Sequence, residues 1–114
     1  MKRSEVWQIN LDPTIGSEIR KIRPAIIINN NELGVLPLKI IIPITDWKVQ
    51  YNIAPWMVGI FPDNMNGLSK HSSADCLQIR SVSIERFVKK IGIIDDFTLE
   101  KIENALYQVL DLKY

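Results

Sequence analysis

The 114-residue chain predicts a mainly β fold of the α+β kind, a small curled sheet with one helix packed on it. Three observations carry that expectation. Short alternating or β-branched segments recur along most of the chain. Clusters of Asn, Asp, Gly and Pro separate them, and only the C-terminal stretch has apolar residues at helical spacing.

Val6 to Leu11 alternates, with Trp7, Ile9 and Leu11 on one face and Val6, Gln8 and Asn10 on the other, as a half-buried strand does. Asp12-Pro13-Thr14 opens a polar loop running to Ile22, with Gly16 supplying backbone freedom. Pro24 to Asn29 reads as a second strand, and its unbroken Ala-Ile-Ile-Ile predicts burial on both faces. After the turn cluster Asn29–Gly34 comes a third strand, Leu36–Ile44, and then a polar loop, Trp47–Asn52. Ala54–Phe61 reads as a fourth strand with Trp56 as a core residue, and Pro62-Asp63-Asn64 as its turn.

Ser69 to Ser73 is a polar bridge in which His71, the one histidine, is expected to be solvated. Ala74–Ser81 alternates as a fifth strand, Leu77 and Ile79 on one face and Cys76, Gln78 and Arg80 on the other. Ser83–Arg86 is expected to form a helical turn and Phe87–Ile94 a last strand, with Lys89-Lys90 facing solvent at a sheet edge. Asp96 is placed to cap the closing helix, where Leu99, Ile102, Ala105, Leu106, Val109 and Leu110 repeat at helical spacing.

A chain of this length, 46% hydrophobic, is expected to form one domain with one core. Lys plus Arg number 14 against 13 Asp plus Glu, so the net charge of +1 argues against a nonspecific polyanion binder. Any positive site must come from the placement of a few residues. Cys76 is the single cysteine, which excludes an internal disulfide and a thiolate zinc cluster, and Cys76 itself is expected to be packing rather than nucleophile. No metal-ligand cluster, phosphate-binding glycine loop or nucleophile elbow is present, so neither metal nor cofactor is expected. Met1-Lys2-Arg3 is not followed by a continuous apolar segment, and Pro37, Lys39 and Pro43 interrupt Leu36–Ile44. The expectation is a soluble cytoplasmic protein with no membrane partner.

Arg23 stands out because Pro24 pushes it into an extended conformation where the loop meets a rigid strand. A guanidinium held there could grip two phosphate oxygens, or could equally close a salt bridge with Glu18 or Asp12. Thr45 at the end of the third strand could donate to a phosphate or orient a 2′-hydroxyl, or could simply favour a strand. Gln78 and Arg80, on one predicted strand face, could line a groove, with Ser17, Glu18, Arg20 and Lys21 gating it from the loop. Trp47, in the central loop, could stack on unpaired bases.

Leu-Asp-Pro-Thr, Gly-Ser-Glu and Arg23-Pro-Ala-Ile-Ile-Ile-Asn-Asn30, in this order, resemble the start of a MazF/PemK-type toxin. Pro43-Ile-Thr45, Asn66-Gly-Leu68, Leu77-Gln-Ile-Arg-Ser81, Glu85–Gly92 and the closing Ala105-Leu106 and Leu110-Asp-Leu112 are similar to its later segments, so the resemblance covers nearly the whole chain. It implies an SH3-like barrel of the MazF/PemK/CcdB type and a homodimer. It also implies an mRNA interferase: a sequence-specific, metal-independent endoribonuclease acting on single-stranded mRNA, held in check by a MazE-like antitoxin. Residue by residue it makes Arg23 and Thr45 the catalytic pair. Ser17, Glu18, Arg20, Lys21, Trp47, Gln78 and Arg80 remain candidate RNA contacts. Some PemK-type relatives carry an Arg and an Asp beside the shared Cys and a His in the first loop; here those positions are Asp75, Leu77 and Ser17, so that acid–base set is absent. Two rivals follow from the same fold: a CcdB-like gyrase poison and a catalytically inactive RNA-binding barrel. The first needs a terminal Trp-Gly-Ile where this chain reads Leu-Lys-Tyr; retention of both Arg23 and Thr45 argues against the second.

Overall fold

Seven strands form one antiparallel, strongly curled sheet, and a single α-helix closes on it. The computed structural model describes residues 1–113, so Tyr114 of the terminal Leu-Lys-Tyr lies outside the described residues. The strands are β1 (Glu5–Asn10), β2 (Ile22–Ile27), β3 (Leu38–Asp46), β4 (Met57–Ile60), β5 (Ser72–Asp75), β6 (Arg80–Ser83) and β7 (Phe87–Ile93); the helix is α1 (Asp96–Val109). Their order across the sheet is β4-β5-β3-β2-β1-β7, with β6 also pairing with β3. The sheet is therefore barrel-like but not closed, and β4, β6 and β7 each pair on one side only. Lys89 and Lys90 stand exposed on edge strand β7, as their charge predicts.

The apolar pattern explains the layering. Val6, Ile26, Ile28, Ile42 and Ile44 pack under α1, which contributes Ile102 and Ala105 to that core and lays Leu99, Leu106 and Val109 against it. Ile9, Leu11, Ala25, Ile27, Ile41 and Val82 form a second cluster on the opposite face, with Trp7, Ile19 and Phe87 around it. The Ala-Ile-Ile-Ile run of β2 thus feeds both cores in alternation, the burial its unbroken pattern predicts.

Several expectations are corrected. Asp95 rather than Asp96 caps α1, its carboxylate accepting from the Thr98 N–H at 2.7 Å, and Leu110 is an exposed C-cap residue. Trp56 is not core; it lies in the turn before β4 and is partly exposed. The long strand expected over Ala74–Ser81 is two strands parted by a 3₁₀ turn at Cys76–Gln78. Asp75 causes the break, because its carboxylate accepts from the Leu77 N–H and offers the backbone a turn in place of a ladder. Gln78 and Arg80 consequently do not share a strand face.

Candidate active site

Arg23 and Thr45 meet where β2 and β3 part. The two strands pair as far as Ala25 opposite Pro43, and two residues beyond that last pair Arg23 and Thr45 both line the gap that opens there. Pairing stops at this point, because Pro24 and Pro43 bring no amide hydrogen to the ladder. Ile22–Pro24 and Ile44–Asp46 line the resulting gap, a cavity of about 230 Å³ that Gln8, Gly67, Leu68, Ser69, Lys70 and Ser72 complete.

Arg23 is half-buried, and among the described residues its guanidinium takes part in no hydrogen bond or ion pair. The salt bridge to Glu18 or Asp12 does not form: Glu18 accepts from the Ile15 N–H, and Asp12 accepts from the Thr14 hydroxyl. The cavity's one carboxylate, Asp46, is engaged by Lys70 at 3.1 Å. An unneutralised guanidinium beside a hydroxyl in an open gap is suited to hold an oxyanion.

The Asp12–Ile22 loop leading into Arg23 is pinned from outside. Gln78 accepts from the Ile19 N–H at 2.6 Å and donates to the Ser17 carbonyl at 3.2 Å, while its amide also donates to Asp75 at 3.2 Å. Arg80 donates to the Leu11 carbonyl at 3.3 Å, and Arg86 to the carbonyls of Asn10 and Asp12. Gln78 and Arg80 therefore act as clamps on the loop. Together with Glu18, Ile19 and Pro43 they line a second cavity of about 300 Å³. Pro43 precedes Thr45 by two residues on the same face, so this cavity lies on the side to which Arg23 and Thr45 belong. Arg20 and Lys21 are exposed and unpaired among the described residues, and Lys21 sits at φ 70° as it turns the loop into β2. Arg86 was not among the candidates from sequence; nothing in the Glu-Arg-Phe stretch signals a clamp reaching back to the first loop.

Trp47 is placed apart from the loop. Its ring stacks on His71 at 4.8 Å, and Phe61 stacks on the other side of His71 at 4.0 Å. His71 is thus half-buried between two rings rather than solvated, and Phe61, unflagged by the sequence, carries the outermost ring. Burial pushes the Asp75 carboxyl up from its usual range, against the N–H groups of Leu77 and Gln78 that pull it down. Burial and the neighbouring Asp75 charge push the Cys76 thiol up to about 12, which makes it inert packing.

A curled β-sheet that presents an unpaired arginine and a threonine in one strand gap, with a clamped loop beside it, defines a small β protein with an open notch suited to an oxyanion. The chain belongs to the family of PemK-like, MazF-like toxins of type II toxin–antitoxin systems, whose model matches residues 2–110. It is 32% identical over 121 residues to the endoribonuclease MazF9 of Mycobacterium tuberculosis, an alignment covering 98% of each chain. Its identity to the endoribonuclease EndoA of Bacillus subtilis is 32% over 108 residues, covering 93% of this chain and 90% of the relative. Among solved structures, MazF from Deinococcus radiodurans superposes with a TM-score of 0.80 at 21% identity, covering 98% of this chain and 97% of that one. A mycobacterial endoribonuclease in complex with its cognate antitoxin gives 0.79 at 18% identity, covering 100% and 98%.

Proposed function

We propose that this toxin is a metal-independent endoribonuclease that cuts single-stranded mRNA by transesterification, with Arg23 and Thr45 as its catalytic pair. The reading rests on the unpaired Arg23 guanidinium, which shares the open gap between β2 and β3 with Thr45. The scissile phosphate binds Arg23 through two oxygens, and Thr45 donates its hydroxyl to the phosphate or orients the ribose. The 2′-oxygen bonds to phosphorus and the bond to the 5′-oxygen breaks. The proton lost by the 2′-hydroxyl is balanced by the one the departing 5′-oxygen takes up. Charge accumulates on the equatorial oxygens in the transition state, and Arg23 stabilises it there. The products are a 2′,3′-cyclic phosphate and a 5′-hydroxyl, and DNA is not a substrate.

Ser17, Glu18, Arg20 and Lys21 would shape which nucleotides reach the gap, because Gln78 and Arg80 fix the loop that carries them. Val35, Leu36 and Ile84 are exposed and line one open hollow, a surface suited to a homodimer in the cytoplasm. No helix among the described residues is long and apolar enough to cross a membrane. The acidic tail of a MazE-like antitoxin would inhibit by occupying Arg23 and Lys21.

Incubation of purified protein with a long unstructured RNA in excess EDTA tests the reading. Discrete cuts are expected, slowed by about a hundredfold to a thousandfold in Arg23→Ala, the loss typical of one transition-state donor. Equal rates in wild type and Arg23→Ala would refute the assignment. Gyrase inhibition without RNA cleavage would favour the CcdB-like alternative, and RNA binding without cleavage the inactive barrel.

A further inference from the structure

Three strands carry a row of rings that the nuclease reading leaves unused. Thr45 pairs with Ser73 and Ser73 with Gly59; the same registers, continued by two residues, place Trp47, His71 and Phe61 side by side on that face. The ring spacings of 4.8 and 4.0 Å, with interplanar angles of 18° and 13°, follow the spacing of the strands beneath. Gly59 leaves room beneath the row: a Cβ there would come within 3.3 Å of the Trp47 ring, close enough to push that ring by a few tenths of an ångström. Tyr51 meets Trp47 in a T-shaped contact at 5.8 Å, so the inner ring has a second aromatic neighbour.

Phe61 differs. It follows edge strand β4, stacks on His71 with one face and is 70% exposed. Two strand spacings across and one same-face step along put it about 12 Å from Thr45. Phe61 also lines a cavity with Asp63, Asp95 and Lys101: Asp63 is engaged by the N–H groups of Met65 and Asn66, Asp95 by that of Thr98, and Lys101 stands over the Phe97 ring at 4.5 Å. An open aromatic face, held parallel to two rings beneath it, matches a nucleobase.

We propose that Phe61 is a base-stacking subsite, the outer ring of a Trp47–His71–Phe61 platform that holds an RNA nucleotide close to the one being cut. Trp47, the base-stacking candidate from sequence, supports the platform from inside. The proposal rests on the nuclease reading for its ligand, and binding is therefore measured apart from cleavage. The probe is a short single-stranded RNA spanning the mapped cut site, with a 2′-deoxy sugar at the cut nucleotide; a mixed-sequence RNA replaces it if nothing is cut. Affinities of wild type, Phe61→Ala and Phe61→Trp are compared on this RNA and on a series with one abasic nucleotide at each position.

Phe61→Ala is expected to weaken binding about tenfold while Phe61→Trp retains it. One abasic position should abolish the difference between wild type and Phe61→Ala. The high exposure of Phe61 limits the fall in melting temperature of the alanine variant to the few degrees that loss of its stack on His71 brings. Equal affinity of wild type and Phe61→Ala, or a loss that no abasic position removes, would overturn the subsite while leaving the nuclease reading intact. RNA binding without cleavage by wild type would refute the nuclease reading alone, and failure of wild type to bind RNA would refute both. Weakened binding of an acidic antitoxin peptide with RNA affinity unchanged would also overturn it.

Discussion

Replacing Gln78 with alanine removes the two hydrogen bonds that tie the Asp12–Ile22 loop to the turn after β5, and a third to Asp75. A typical protein hydrogen bond contributes about 1 kcal/mol net, and the Ser17 carbonyl and Ile19 amide regain water when the amide is cut away. Asp75 keeps the Leu77 N–H at 3.2 Å, so its carboxylate is not stranded. The expected stability loss is therefore about 1 to 2 kcal/mol, a fall in Tm of several degrees. Activity should fall further, about tenfold in kcat/KM, because the loop delivers Arg23 to the gap and a small misplacement of a catalytic group is costly. Hydrogen exchange at the Ile19 amide, read with RNA cleavage, checks this directly. Unchanged exchange together with unchanged cleavage would refute the clamp. Gln78→Glu sharpens the test, since it sets a second carboxylate beside Asp75, where burial already pushes the carboxyl up. Two adjacent carboxylates raise each other's pKa, so this variant should be less stable than Gln78→Ala at neutral pH and recover as acid protonates one of the pair.

Glu5 gives a pH prediction. Burial raises its carboxyl, but the Trp7 indole N–H at 2.9 Å, a Lys2 backbone hydrogen bond and Lys90 at 3.2 Å outweigh that and bring it down to about 2. Because the folded value lies below the unfolded value of 4.5, the stabilisation is present above pH 4.5 and is lost as pH falls towards 2. Urea unfolding of Glu5→Gln should lie about 2 to 3 kcal/mol below wild type at pH 7, with the gap closing by pH 2; a gap independent of pH would contradict the assignment. Gly67 and Gly16 form a matched pair at φ 71° and 59°: a Cβ at Gly67 would run into the Ile91 carbonyl, whereas Gly16 faces open space. Gly67→Ala should cost at least about 3 kcal/mol or prevent folding, while Gly16→Ala should cost about 1 kcal/mol; similar melting temperatures for the two would contradict this.

Much of the fold is legible in the residues because one periodicity decides each element. Trp7, Ile9 and Leu11 alternate into the second core, Ala25 to Ile28 feed both cores, and the helix shows its apolar stripe. The break after Asp75 was hidden, because Cys76 to Arg80 alternates as a strand would and only the Asp75 carboxylate turns it aside. Ser72 and Ser73 read as a polar bridge but are buried members of β5, where small hydroxyls fit beneath their neighbours. For the site, Arg23 and Thr45 were legible as types at strand ends, and their meeting is a matter of register. The clamping roles of Gln78, Arg80 and Arg86 depend on contacts across 59 or more residues, which local pattern does not carry. The ring row was equally out of reach, since Trp47, Phe61 and His71 come together only across three strands.

The most direct test of the Arg23–Thr45 transesterification is end-group analysis of an RNA with a single 2′-deoxy sugar at the cut nucleotide, beside its all-ribose twin. The ribose RNA is expected to be cut in EDTA to a 2′,3′-cyclic phosphate and a 5′-hydroxyl, and the deoxy RNA to survive at that position. Cleavage of the deoxy RNA at the same bond, or a 5′-phosphate on the product, would contradict the transesterification.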